Sequence, residues 1–165
     1  MNGNQTDNLA WLADNPILNI VRRQYKLALQ GIHGLSHWER VEKFGLFLAD
    51  ATKADKTVIS YFAYLHDSQR LDESEDAEHG KRASEFVGEL YKSKVVQLSP
   101  VRLQQLQFAC RYHNERKMFD IDDVTIQTCW DADRLDLPRI GIKPNPDYLY
   151  TETAKKFVAI EHKKS

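Results

Sequence analysis

The chain has 165 residues, 42% of them hydrophobic and 28% charged, the composition of an ordinary soluble globular protein of one domain. Lys+Arg 23 against Asp+Glu 24 leaves a formal net charge of -1, so there is no global electrostatic case for nucleic acid or an anionic membrane as partner. With no secretory apolar core and no run long enough to span a bilayer, a cytoplasmic location without membrane association is the expectation.

Residues 1–15 read as a flexible N-terminal segment, polar and featureless from Met1 to Asp7, and residues 16–165 as one helical domain. Pro16 opens the first helix, with Ile17, Ile20, Val21, Leu27 and Leu29 among its apolar positions, and Gly31 stops it. Gly31-Ile32-His33-Gly34 is a flexible turn whose glycines allow close backbone approach. Ser36-His37-Trp38-Glu39 has the spacing of a capping box and starts the second helix, which places Val41, Phe44 and Leu48 on one face with His37. The stretch from Asp50 to Asp55 breaks that helix, and Asp55 caps a third. Its stripe of Val58, Ile59, Phe62, Ala63 and Leu65 ends in His66-Asp67.

From Ser68 to Glu78 the chain is acidic, with Asp72, Glu73, Glu75, Asp76 and Glu78, and reads as a solvated loop. A fourth helix starts near His79 and turns Ala83, Phe86, Val87 and Leu90 inward. Ser99-Pro100 starts a fifth, with Leu98 placed to staple onto Leu103; Leu103, Leu106 and Cys110 then lead at steps of three and four to His113. After the loop from Asp120 to Asp123, a sixth helix carries Ile126, Cys129, Trp130 and the run Asp131 to Asp136. Pro138, Gly141, Pro144 and Pro146 make the next stretch irregular, and a last helix runs from about Glu152 to Ile160. Cys110 and Cys129 lie in apolar registers and are expected to pack as reduced thiols. No alternating strand pattern is present, so the expected class is all-α, a single-domain helical bundle.

Four histidines, His37, His66, His79 and His113, fall on inward registers of four different helices. Singly, a histidine on an apolar stripe is more often a satisfied core residue than a ligand. Four of them, joined by Asp67 and an inward aspartate, are the arrangement by which a bundle gathers metal ligands. For the closing aspartate, Asp133 shares a stripe with Ile126, Cys129, Trp130 and Leu137. Asp131 is the alternative, on a face with Gln127, Thr128 and Leu135, where it would support a ligand from behind. Imidazole and carboxylate together suit Mn, Fe, Co, Ni or Zn better than calcium.

The order of these groups resembles the HD-domain superfamily of metal-dependent phosphohydrolases, written loosely as H...HD...H...H...D. His37-Trp38-Glu39-Arg40-Val41 is similar to the family's H-x-x-R-V start, and Ala132-Asp133-Arg134-Leu135 to its closing A-D-R-L element. His79-Gly80 and His113-Asn114-Glu115 resemble elements of the HD-GYP phosphodiesterases, but the G-Y-P segment itself is missing between Asn114 and Asp120. The resemblance covers a core of residues 31–137 and implies an HD-like bundle. It implies that His37, His66, Asp67 and Asp133 hold one divalent transition metal, and that Asp67 can bridge to a second ion held by His79 and His113. The implied reaction is attack of a metal-bound hydroxide on a small phosphorylated metabolite, a nucleotide foremost, with Asp67 as the central catalytic residue. Arg40, Arg70 and Lys81 lie within a turn of a ligand and are candidates to bind substrate phosphate. His33 is a further candidate for substrate contact or support. Two other activities share the ligand order or the fold: an HD-fold di-iron oxygenase similar to inositol oxygenase, and a non-catalytic nucleotide-binding sensor.

Overall fold

Two aspartates set the starts of the helices that flank the core. Asp55 accepts from the amides of Thr57 and Val58 at 2.9 and 3.2 Å, and Asp123 from those of Thr125 and Ile126 at 2.9 and 3.1 Å. Each such cap contributes about 1 kcal/mol. The computed structural model describes residues 16–115 and 117–164; the expected flexible segment 1–15 lies outside the described residues.

Among the described residues the chain forms seven α-helices and no strand. They are α1 (Pro16–Gln24), α2 (Leu35–Thr52), α3 (Lys56–Leu65), α4 (His79–Lys92), α5 (Pro100–Tyr112), α6 (Val124–Leu135) and α7 (Glu152–Lys164). Two 3-10 turns, Leu137–Ile140 and Pro146–Tyr148, occupy the proline-rich stretch. Helix α2 packs along α3 and α6, α4 along α5, and α5 in turn against α3. The core between them is built on Trp38, Phe62, Ile59, Leu106 and Trp130, all buried. Full burial of one aliphatic or aromatic side chain contributes about 1.5–3 kcal/mol. A smaller apolar cluster, Leu48, Leu135, Leu149, Ala154 and Val158, fastens α7 to the ends of α2 and α6. Cys110 and Cys129 are buried and unbridged, as expected. Among the described residues no helix is long and apolar enough to cross a membrane.

Glycine matters at two helix crossings. A Cβ on Gly45 would run into the Ile59 side chain, where α2 meets α3. One on Gly80 would sit 2.6 Å from the carbonyl oxygen of Arg111 and 2.8 Å from that of Cys110. Because Gly80 follows His79, and Arg111 stands two residues before His113, this close approach brings two of the histidines together.

The structure corrects three local expectations. The first helix ends at Gln24 rather than at Gly31. Leu27 and Leu29 are two residues apart and cannot share one helical face; with Tyr25 they alternate half-buried against exposed Lys26, Ala28 and Gln30. The Tyr25 hydroxyl donates to the His33 carbonyl at 2.9 Å, and its ring meets Trp38 edge-on. The capping box is not formed: Gly34 is the cap of α2 and Ser36 already lies inside the helix. The Leu35 amide bonds to the Leu29 carbonyl at 2.8 Å, a turn so tight that a side chain at position 34 would collide with that carbonyl. Third, the acidic loop is not merely solvated. Arg70 within it is 6% exposed, Asp76 accepts from the Leu71 amide at 2.8 Å and from Arg82, and Glu73 pairs with His33 at 2.7 Å.

Candidate metal centre

Helix ends aim the histidines. His66 and His113 follow the last residues of α3 and α5, and His79 is the first residue of α4. A helix leaves its last carbonyls without internal partners. His66 Nδ1 donates to the carbonyls of Phe62 and Ala63 at 3.0 and 3.1 Å, and His113 Nδ1 to that of Cys110 at 2.7 Å. His79 Nδ1 donates to the Asp76 carbonyl, and His37, in the first turn of α2, to Asp136 Oδ2 at 2.7 Å. A carbonyl only accepts, so Nδ1 carries the proton wherever it faces one, and a neutral ring then offers its Nε2 lone pair. The 66 ring is held further by stacking on Phe62.

All four Nε2 atoms point to one place. His37 Nε2 lies 3.1 Å from His66 Nε2, and His79 Nε2 lies 2.9 Å from His113 Nε2. Asp67, itself 2% exposed, stands between the two pairs and divides its oxygens between them. Oδ2 is 3.5 Å from His37 Nε2 and 3.6 Å from His66 Nε2; Oδ1 is 3.1 Å from His79 Nε2 and 3.4 Å from His113 Nε2. Asp133 Oδ1 completes the first group, 3.4 Å from His37 and 3.8 Å from His66. Lone pairs this close repel unless a proton or a cation stands between them. Donors held about 2.1 Å from one ion lie about 3.0 Å apart in octahedral and about 3.4 Å apart in tetrahedral coordination. The His37, His66 and Asp133 group and the His66, Asp67 and His113 group can each hold a metal ion, and the donor types fit a divalent transition metal.

The same crowding governs protonation. Burial pushes the His66 pKa down to about 3 against the pull of Asp67 and Asp133, so its lone pair stays available in acid. For His37 burial also works against the charged form, but hydrogen bonds to Asp133, Asp136 and Asp67 outweigh it and bring the pKa up to about 10. Burial opposes ionisation of Asp67 and Asp133 too, yet the surrounding histidines hold both carboxyls far below the usual carboxylate range. Without a metal, the pocket keeps its carboxylates ionised by placing positive charge on His37.

The two candidates for the closing aspartate part company. Asp133 faces His37 and His66, whereas Asp131 turns away and accepts from the amides of Tyr150 and Thr151 at 2.8 and 2.7 Å and from the Thr151 hydroxyl at 2.8 Å. Asp131 thus ties the start of α7 to α6. Asp131→Ala should strip buried amides of their acceptor and cost about 2–3 kcal/mol in denaturant unfolding, with metal content unchanged. Loss of metal in that variant would move the ligand role to Asp131.

Of the three basic candidates, Arg70 alone has its guanidinium against a proposed ligand, with Nη1 3.5 Å from Asp67 Oδ1. Arg40 donates through Nε and Nη2 to the two oxygens of Asp136 at 2.6 and 3.1 Å, and so braces the carboxylate that orients His37. Lys81 Nζ is 3.9 Å from Glu78 and half exposed. His33 pairs with Glu73, and its ring centroid is 6.4 Å from that of His37. Sequence reasoning missed Asp136 and Arg139, which donates through Nε to the Ile32 carbonyl at 2.9 Å and pins the glycine turn. The one sequence signal for Asp136 is its place three residues after Asp133.

The structure is similar to the crystal structure of a predicted HD superfamily hydrolase from an uncultured Thermotogales bacterium. The match has a TM-score of 0.69 and 25% sequence identity, and covers 98% of this chain and 92% of that one. No family model and no curated protein matches the sequence.

Proposed function

The chain has the HD-superfamily fold, and from that premise we propose that it is a metal-dependent phosphohydrolase acting on a small phosphorylated metabolite, a nucleotide foremost. The observation that carries the reading is the convergence of four imidazole Nε2 atoms on the two oxygens of Asp67. His37, His66, Asp67 and Asp133 would hold one ion, and His79 and His113 with Asp67 Oδ1 form a second group of donors. A bound transition metal supplies a hydroxide at neutral pH and withdraws charge from a phosphoryl oxygen.

The protein's own residues do the rest. Asp136, clamped by Arg40, keeps the His37 ring oriented and its Nδ1 protonated, so that Nε2 remains a donor to the metal. Backbone carbonyls do the same for His66, His79 and His113. Asp133 is the more open of the two carboxylates, its side chain 18% exposed against 3% for Asp67, so substrate approaches past Asp133. Arg70, beside Asp67, is the group placed to meet a phosphoryl oxygen from within the site.

Inorganic phosphate release, or nucleoside product formation, over a panel of nucleoside mono-, di- and triphosphates tests this with protein reloaded in turn with Mn, Co, Ni, Zn and Fe. The expected result is turnover that depends on the added metal. Oxygen uptake by the iron-loaded protein, with no phosphoester or anhydride cleaved, would replace the hydrolase by the di-iron oxygenase. Binding of nucleotides without turnover of any kind would leave the sensor.

A further inference from the structure

Arg70 does more than line the pocket. Its Nη1 lies over the face of the His79 ring, 3.2 Å from Nε2 and 3.4 Å from Nδ1, and 3.5 Å from Asp67 Oδ1, so it stands against two residues of the second group. The guanidinium is held there from behind, since Nε donates to the Asp72 carbonyl at 3.2 Å and Nη2 to that of Ser74 at 3.5 Å. The loop that supplies those carbonyls is fixed in turn by Arg82, which donates to the Gln69 carbonyl at 3.1 Å and to Asp76. The side chain is 7% exposed, so this is a built position rather than a surface arginine folded inward.

An ion bound by His79 Nε2 and Asp67 Oδ1 would sit about 2.1 Å from each. Those atoms are 3.1 Å apart, and Arg70 Nη1 is 3.2 and 3.5 Å from them. Wherever it falls under those distances, such an ion is within about 4.5 Å of the guanidinium nitrogen, two positive centres crowded against Asp67 Oδ1. Among the described residues no arginine stands so close to the first group: Arg40 is engaged by Asp136, and His37, His66, Asp67 Oδ2 and Asp133 face one another.

We propose that Arg70 is the built-in cation of the second donor group, so that the chain binds a single metal ion tightly, at His37, His66, Asp67 and Asp133. The guanidinium neutralises Asp67 Oδ1 and sets its charge over the face of the His79 ring, where a second ion would otherwise be needed. It also presents a fixed positive charge beside the first ion. This deepens the hydrolase reading and rests on it.

Titration of metal-stripped protein with Mn(II), followed by equilibrium dialysis and electron paramagnetic resonance, decides the matter without an activity assay. The wild-type chain should take up one tight Mn(II) with a mononuclear spectrum. Arg70→Ala should take up two with an exchange-coupled spectrum, and Arg70→Ala with His79→Ala should return to one. His79→Ala alone should leave the tight ion within about threefold of its wild-type affinity, a measurement that stands even if the Arg70 variants do not fold. Two tight ions in the wild type, one in Arg70→Ala, or a tenfold loss in His79→Ala would each overturn the proposal while leaving a metal centre in place. Failure of the wild type to bind any Mn(II) overturns both the proposal and the reading beneath it.

Discussion

Asp67→Ala is expected to abolish metal retention and to lower metal-dependent hydrolysis by at least about 10³-fold, equivalent to about 4 kcal/mol of transition-state stabilisation. The reason is its position. Among the described residues Asp67 is the one whose two oxygens reach both pairs of histidines, at 3.1 to 3.6 Å, so its removal dismantles both donor groups at once. Asp67→Asn separates chemistry from folding. The amide nearly matches the carboxylate in shape, and its N–H can donate to an Nε2 lone pair, so the metal-free fold should survive while the metal site does not. Circular dichroism and metal content together check the pair: a folded Asp67→Asn chain that retains its metal and full turnover would contradict the role given to Asp67.

Chelation is expected to lower the melting temperature by roughly 10 °C. Metal at a thousandfold excess over its dissociation constant adds about 4 kcal/mol to the folded state. In a chain of this size each kcal/mol moves the transition by about 2–4 °C. The physical source lies in the stripped pocket, where the His79 and His113 lone pairs converge at 2.9 Å and the His37 and His66 rings, 3.1 Å apart, are reconciled by a proton that puts positive charge on His37. Differential scanning calorimetry of metal-free and reloaded protein measures this directly, and an unchanged transition after verified metal removal would mean that the cluster is only packing.

The helices and the inward histidines were legible in the sequence because both depend on local periodicity. Stripes such as Ile59, Phe62 and His66, or Leu106, Cys110 and His113, report which face is buried whatever they pack against. The caps Asp55 and Ser99 were equally local. What was not legible depended on contacts between distant segments. Asp136 lies beyond the end of α6, where the helical repeat stops, and its importance comes from His37, 99 residues away in sequence. Arg40 read as a phosphate ligand because nothing local reveals that Asp136 already holds it. Asp131 looked half-inward from its register, and its partners Tyr150 and Thr151 belong to the irregular stretch that carries no periodic signal. The acidic loop looked solvated because its charges are counted from the sequence, whereas its backbone carbonyls, which seat Arg70, are invisible there. The helix end at Gln24 was lost for a different reason: the apolar residues continued, but their spacing had changed from helical to alternating.

Everything proposed for this chain requires the cluster around Asp67 to be a metal centre rather than a group of core histidines. Elemental analysis of protein purified without added metal, beside an Asp67→Ala control, tests it most directly. About one equivalent of Mn, Fe, Co, Ni or Zn per chain is expected in the wild type and none in the variant. No metal in the wild type, and none taken up on soaking with any of those ions, would contradict it.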